Sequence, residues 1–184
     1  MATKKKIAIA CQGGGSHTAF TAGVIKYLLE NNIQNQYRIV GLSGTSGGAV
    51  CATAALTGLL KAAKGGTEPP DKPLIDFWYA TPPQSLGEEM YAKTTDGLLR
   101  IAESGRVPIL PPNPYRDAPA LSAIKPLFPR REFLDFRALL EAYIDFDELN
   151  ALIDEDSPRL LLGAANILTG QFKTFDSWVP GEVC

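Results

Sequence analysis

Gly44-Thr45-Ser46-Gly47-Gly48 sets one serine among glycines at G-x-S-x-G spacing. A serine hydroxyl presented on such a turn suits acyl transfer. It attacks an ester carbonyl, and the carbonyl oxygen becomes an oxyanion that needs N–H donors already in place. The glycines have a steric reason. A serine in a sharp strand-to-helix turn has a strained backbone, and residues two before and two after it come so close that side chains would collide. Gly44 and Gly48 supply that clearance, and Gly47 offers an amide beside the reacting centre. The helix that follows turns its first N–H groups and positive dipole end toward the hydroxyl.

A second cluster, Gly13-Gly14-Gly15, ends 31 residues before Ser46. A run of glycines exposes backbone amides without side chains in the way, as an oxyanion hole requires; losing one such donor costs about 2.7 to 4 kcal/mol of barrier. The same loop at a helix N-terminus would cradle a phosphate. The dinucleotide fingerprint, however, needs a glycine or alanine where Thr18 stands, and the G-K-[ST] of a P-loop is missing. His17, the sole histidine, falls at the start of the helix after this loop. It reads as a capping or loop-packing residue lining the site, the alternative being a base for Ser46. Cys11 and Cys51 read as small core residues rather than nucleophiles.

The elements that must position these groups are strands and helices in alternation. Lys6 to Cys11, "KIAIAC", reads as a strand buried on both faces. His17 to Leu29 reads as a helix, with Phe20, Val24, Tyr27 and Leu28 at helical spacing, and Tyr37 to Leu42 as the second strand. "GGAVCATAALTGLLKAAK" is apolar all round, as in a helix packed closely on a sheet, and it stops at Gly65 and Gly66. This succession predicts a right-handed βαβ unit with parallel strands, hence an α/β fold, and brings the Gly-rich loop beside Ser46 on one sheet edge. Leu74 to Tyr79, Leu86 to Ser104 and Phe136 to Ile144 read as helices. Seven prolines between Pro108 and Pro129 make residues 105–130 an irregular cap over the substrate or a surface excursion. Arg159 to Asn166 reads as a buried strand, and Thr169-Gly170 turns it into "QFKTFDS", a hairpin.

A chain of 184 residues suits a single domain, here residues 1–184. With 45% hydrophobic and 21% charged residues it is globular. Lys and Arg total 18 against 20 Asp and Glu, which argues against a nucleic-acid partner. Three cysteines without a short-spaced pair fit reduced cytoplasmic thiols and form no zinc site. In "MATKKKIAIAC" the apolar run of five is shorter than the roughly 7 to 15 of a secretory leader, so it reads as a solvated tip entering the first strand. No run approaches the roughly 18 apolar residues of a membrane span.

"IAIACQGGGSHTAFTAGVIKYLLE" followed by "YRIVGLSGTSGGAVCATAAL" resembles the patatin-like phospholipase family, in which a Gly-rich oxyanion loop precedes a G-x-S-x-G elbow by such a stretch. "LLLGAANILTGQFKTFDS" is similar to that family's later strand and turn. The likeness covers residues 5–60 and 159–177 and omits the Pro-rich middle. It implies a three-layer α/β fold with a mostly parallel central sheet, related to cytosolic phospholipase A2. It also implies lipid acyl hydrolysis by a Ser-Asp dyad, with Ser46 as nucleophile and Gly13, Gly14, Gly15 and Gly47 as oxyanion donors. A lipid or acyl-ester substrate and peripheral membrane contact are implied too, while no metal or organic cofactor is; "LIDFWYATPP" offers exposed aromatics for such contact if its helix faces outward. Two departures stand out. His17-Thr18 replaces the family's usual Arg or Lys followed by Gly. The family's catalytic Asp, in a D-G-[GA]-like motif beyond the "FDS" strand, is expected after Cys184, as if these residues were the N-terminal portion of a longer enzyme. Asp96, in the one Asp-Gly, and Asp176, within "FDS", are the substitutes at hand, and neither fits the base's place. The competing readings are an acyl- or anion-binding module lacking its base, and a nucleotide-binding domain using Gly13 to Gly15.

Overall fold

Four short apolar runs pair into one sheet in the computed structural model, which describes residues 4–104, 128 and 130–179. They are β1 (Lys6–Cys11), β2 (Arg38–Thr45), β3 (Arg159–Ala165) and β4 (Phe172–Asp176), in the order β1-β2-β3-β4. β1 with β2 and β2 with β3 run parallel, while β3 and β4 are antiparallel. The α/β class with a mostly parallel sheet is therefore the one expected. The Pro-rich stretch 105–130 lies outside the described residues apart from Phe128 and Arg130. The chain divides into two units, Met1–Trp78 with Tyr143–Cys184, and Tyr79–Ala142.

In the first unit, β1 leads to α1 (Thr18–Glu30), the short α2 (Ile33–Gln36), β2 and then α3 (Gly47–Ala63). α3 buries Val50, Cys51, Ala52, Ala54, Ala55, Leu56 and Leu60, and packs on β1, β2, β3 and α1. Its alanines let the backbone come close, and Gly58 has no room for a side chain because a Cβ there would collide with the Pro70 carbonyl. α1 buries Ala22, Ile25 and Leu29, spaced three and four apart on one face. Phe20, Val24 and Tyr27, which mark the helix by their spacing, occupy its exposed side. With apolar residues on both sides of α1, periodicity identifies the helix but not its inner face.

β2 extends three residues further than its apolar run suggests. "SGT" is held as strand because Ser43 and Gly44 pair with Ala10 and Cys11 on one side, and Ser43, Gly44 and Thr45 with Leu161, Leu162 and Gly163 on the other. Val40 forms a bulge: Ile7 pairs with Ile39 but Ala8 pairs with Gly41. One extra residue changes the parity of the strand, so Ile39 and Leu42, three apart, both reach the buried face. Ala8 and Ala10 are exposed, so β1 is buried on one face and not on both.

α4 (Lys72–Ala80) turns Leu74 and Phe77 inward. Both are buried, and Phe77 meets Trp78 and Tyr143 edge-on at centroid distances of 5.7 and 6.5 Å. Of the aromatics in "LIDFWY", Phe77 is buried, Trp78 half-buried and Tyr79 exposed. After α6 (Phe136–Tyr143) comes α7 (Phe146–Leu152), which the apolar spacing did not announce. Its signal is a cap: Asp145 accepts from the Glu148 N–H at 2.8 Å, a D-x-x-E start.

The second unit contains α5 (Leu86–Glu103) and a turn of 3-10 helix at Arg131–Phe133. Fully buried Glu88 receives both Nε (2.9 Å) and Nη2 (2.7 Å) of Arg130. The same guanidinium donates to the Ala80 and Pro82 carbonyls at 2.8 and 3.1 Å. Tyr91, Phe128 and Phe133 form an aromatic cluster with centroids 5.3 to 5.9 Å apart. Among the described residues no helix is long and apolar enough to cross a membrane.

Candidate active site

Ser46 occupies the single-residue step between β2 and α3, exposed, with φ 53° and ψ −131°. That left-handed backbone costs a non-glycine residue of order 1 to 3 kcal/mol, so the surrounding chain must enforce it. Two glycines do so by close approach. A Cβ on Gly44 would run into the Gly48 carbonyl and stand 2.6 Å from the Ala49 nitrogen. A Cβ on Gly48 would strike the Cys11 carbonyl and come within 2.6 Å of the Gln12 oxygen. Backbone is packed against backbone on both sides of the serine.

A serine before a helix ordinarily caps it, yet the Ser46 side chain makes no capping bond. Its carbonyl instead takes the N–H groups of Ala49 at 2.9 Å and Val50 at 3.4 Å. Ser46 is exposed at the positive end of a 17-residue helix whose first N–H groups, from Gly47 and Gly48, have no partner within the helix.

The Gly-rich loop passes beside it. Cys11 and Gly44 are the last pair of β1 and β2, after which the chain crosses the end of β2: a Cβ on Gly13 would be 2.8 Å from the Thr45 carbonyl and 3.4 Å from the Ser46 Cβ. Gly14 and Gly15 then bend into a 3-10 turn, Gly15–His17, with Gly15 at φ 54° and the His17 N–H on the Gly14 carbonyl at 3.1 Å. His17 is exposed at the end of this turn. Among the described residues no side chain is hydrogen-bonded to Ser46 Oγ.

The two aspartates considered as bases are committed elsewhere. Asp176 is buried; Arg159 Nε donates to both its oxygens at 2.9 and 3.0 Å, and Nη2 donates to it as well. The Arg159 guanidinium, with the Trp178 N–H, holds this carboxyl down at about 2. Arg159 also lies over the Trp178 ring at 5.1 Å. Asp96, on α5, is taken by Arg100 one helical turn on at 2.8 Å. Cys11 and Cys51 are both buried free thiols. Burial, and then the neighbouring Cys51, pushes the Cys11 thiol up to about 11, and burial raises Cys51 too, so neither supplies thiolate at neutral pH.

Sequence spacing did not disclose the role of Gly163. It pairs with Thr45, and the Phe172 ring lies over it: a Cβ there would be 2.5 Å from Phe172 Cζ and 2.6 Å from Thr45 Cγ2. Phe172, Ile167 and Leu168 give this sheet edge an exposed apolar rim. A groove lined by Lys4, Lys6, Arg38, Lys64, Asp154 and Asp156 opens at the opposite edge, where β2 begins, roughly 20 Å or more from Ser46. Its charges are largely paired, Arg38 with Asp156 at 3.8 Å and Lys64 with Asp154 at 2.5 Å.

The family model described as patatin-like phospholipase matches residues 9–176. Searches of curated proteins and of solved structures returned no match.

Proposed function

The chain belongs to the patatin-like phospholipase family, whose members are lipid acyl hydrolases, and from that premise we propose that it is a serine acyl hydrolase with Ser46 as nucleophile. Ser46 Oγ attacks the carbonyl carbon of a lipid ester. The oxyanion is held by backbone amides of Gly13, Gly14, Gly15 and Gly47; as the tetrahedral adduct collapses, the ester C–O bond breaks and the alcohol leaves with the proton given up by Ser46 Oγ, which yields an acyl-serine. Water then attacks the acyl-serine, releasing the fatty acid and restoring the hydroxyl. Phe172 and the apolar rim beside Thr45 are suited to an acyl chain. The observation that carries this reading is the left-handed Ser46, its side chain outside any helix cap, with Gly13 against it.

The test is labelling by a fluorophosphonate, which phosphonylates serines that sit in an oxyanion hole, with loss of fluoride. Label on the native chain and none on Ser46→Ala is the expected result. Equal labelling of the two proteins, or label on neither, overturns the assignment. The absence of a hydrogen-bonded base on Ser46 among the described residues favours a second reading, an acyl-binding module that keeps the fold without turnover. That reading predicts saturable fatty-acid binding that survives Ser46→Ala, with no Ser46-dependent label.

A further inference from the structure

Thr18 stands where the Gly-rich loop, α1 and the start of α3 meet. It is 2% exposed, and its hydroxyl donates to the Gly15 carbonyl at 2.6 Å. Its own carbonyl accepts the Cys51 thiol of α3 at 3.6 Å. The same hydroxyl fills the space a side chain on Gly47 would need. A Cβ there would collide with Thr18 Oγ1 and stand 3.2 Å from Thr18 Cβ and 3.0 Å from the Gly15 carbonyl.

We infer that Thr18 is a positioning residue that latches the Gly13-Gly15 loop to the backbone beside Ser46. A loop of three glycines has more conformational freedom to lose than any other tripeptide, so its amides point at one place only if something fixes them. The Gly15 carbonyl takes both the Thr18 backbone N–H and its hydroxyl, which fixes Gly15 ψ and the plane of the Gly15–Ser16 peptide and so anchors the far end of the loop that carries the three glycine amides. Gly47 is the other half of the device. The G-x-S-x-G pattern leaves its position open, but here it is glycine because the threonine oxygen takes up the space.

This inference rests on Ser46 as nucleophile for its kinetic readout and not for its structural one. In Thr18→Val, which keeps the shape and removes the hydrogen bond, fluorophosphonate labelling of Ser46 slows by roughly fivefold to tenfold. The loss falls in the inactivation step and not in probe binding, and Thr18→Ser recovers most of the rate. Gly47→Ala alone abolishes labelling, whereas Thr18→Gly combined with Gly47→Ala recovers part of it. Hydrogen exchange at residues 12–17 speeds up in Thr18→Val but not in Thr18→Ser, with the middle of α3 unchanged. Wild-type labelling in Thr18→Val, failure of Thr18→Ser to rescue, or unchanged loop exchange overturns the latch. No Ser46-dependent label in the native chain overturns the nucleophile assignment, and the exchange comparison then decides the latch by itself.

Discussion

Each of the two units owes its own internal cohesion to different physics. Unit one is organised by α3, which buries no charged residue and whose alanines and leucines are sealed against strands and α1; its buried carboxylates, Asp71 and Asp176, lie outside that helix. Unit two is organised by a buried carboxylate gripped in a fork by Arg130, with three aromatic rings beside it. Close apolar packing is tolerant of pH and graded in its response to truncation. A buried ion pair is neither, because removing one partner leaves the other charge uncompensated.

The largest expected effect follows from that asymmetry. Arg130→Met strands Glu88 in the interior and should cost about 3 to 5 kcal/mol. New proteolytic cleavage should concentrate in residues 79–142 while α3 amides stay protected from exchange; equal loss of protection in both units would break the contrast. Leu56→Ala, at a fully buried site on α3, should cost about 2 to 5 kcal/mol with no dependence on pH. Denaturant midpoints at pH 7 and pH 4 check it, and an effect that changes between the two pH values would count against a purely apolar core.

A smaller effect sharpens the comparison from the other side. The Arg130 guanidinium holds the Glu88 carboxyl below the usual range. A depressed folded pKa stabilises the protein fully above the unfolded value, near 4.3, and that contribution is lost as pH falls through the folded value. The stability gap between native and Glu88→Gln chains should therefore narrow on acidification from pH 7 to pH 3. A constant gap would mean that the glutamate acts by shape and not by charge.

The same division governs what could be read from the sequence. α3 announces itself because a run of small apolar residues has few other uses, and β1, β3 and β4 follow from short apolar or alternating runs with a turn between. The last residues of β2 are hidden, since "SGT" has no intrinsic liking for a strand and is extended only by neighbours on both sides. Ser46 and Gly13 are visible as a motif because their geometry demands glycine at fixed offsets. Thr18 is invisible because its partner is a backbone carbonyl on a loop whose bend, Gly15 at φ 54°, exists only after folding. Glu88 with Arg130, and Arg159 with Asp176, join residues 42 and 17 positions apart, a pairing that no local pattern encodes.

The bulge at Val40 gives β2 a counting function. From Ile39 onward every side chain owes its side of the sheet to one surplus residue, so the strand behaves as a ratchet with two settings. Loss of Val40 alone would straighten the strand and leave Leu42 facing inward opposite Ile9, whereas loss of a codon between Leu42 and Ser46, where the register is regular, would deliver Ser46 to the wrong side of Gly13. A substitution at Val40 that keeps the count would be forgiven. In this segment length is inherited more strictly than identity.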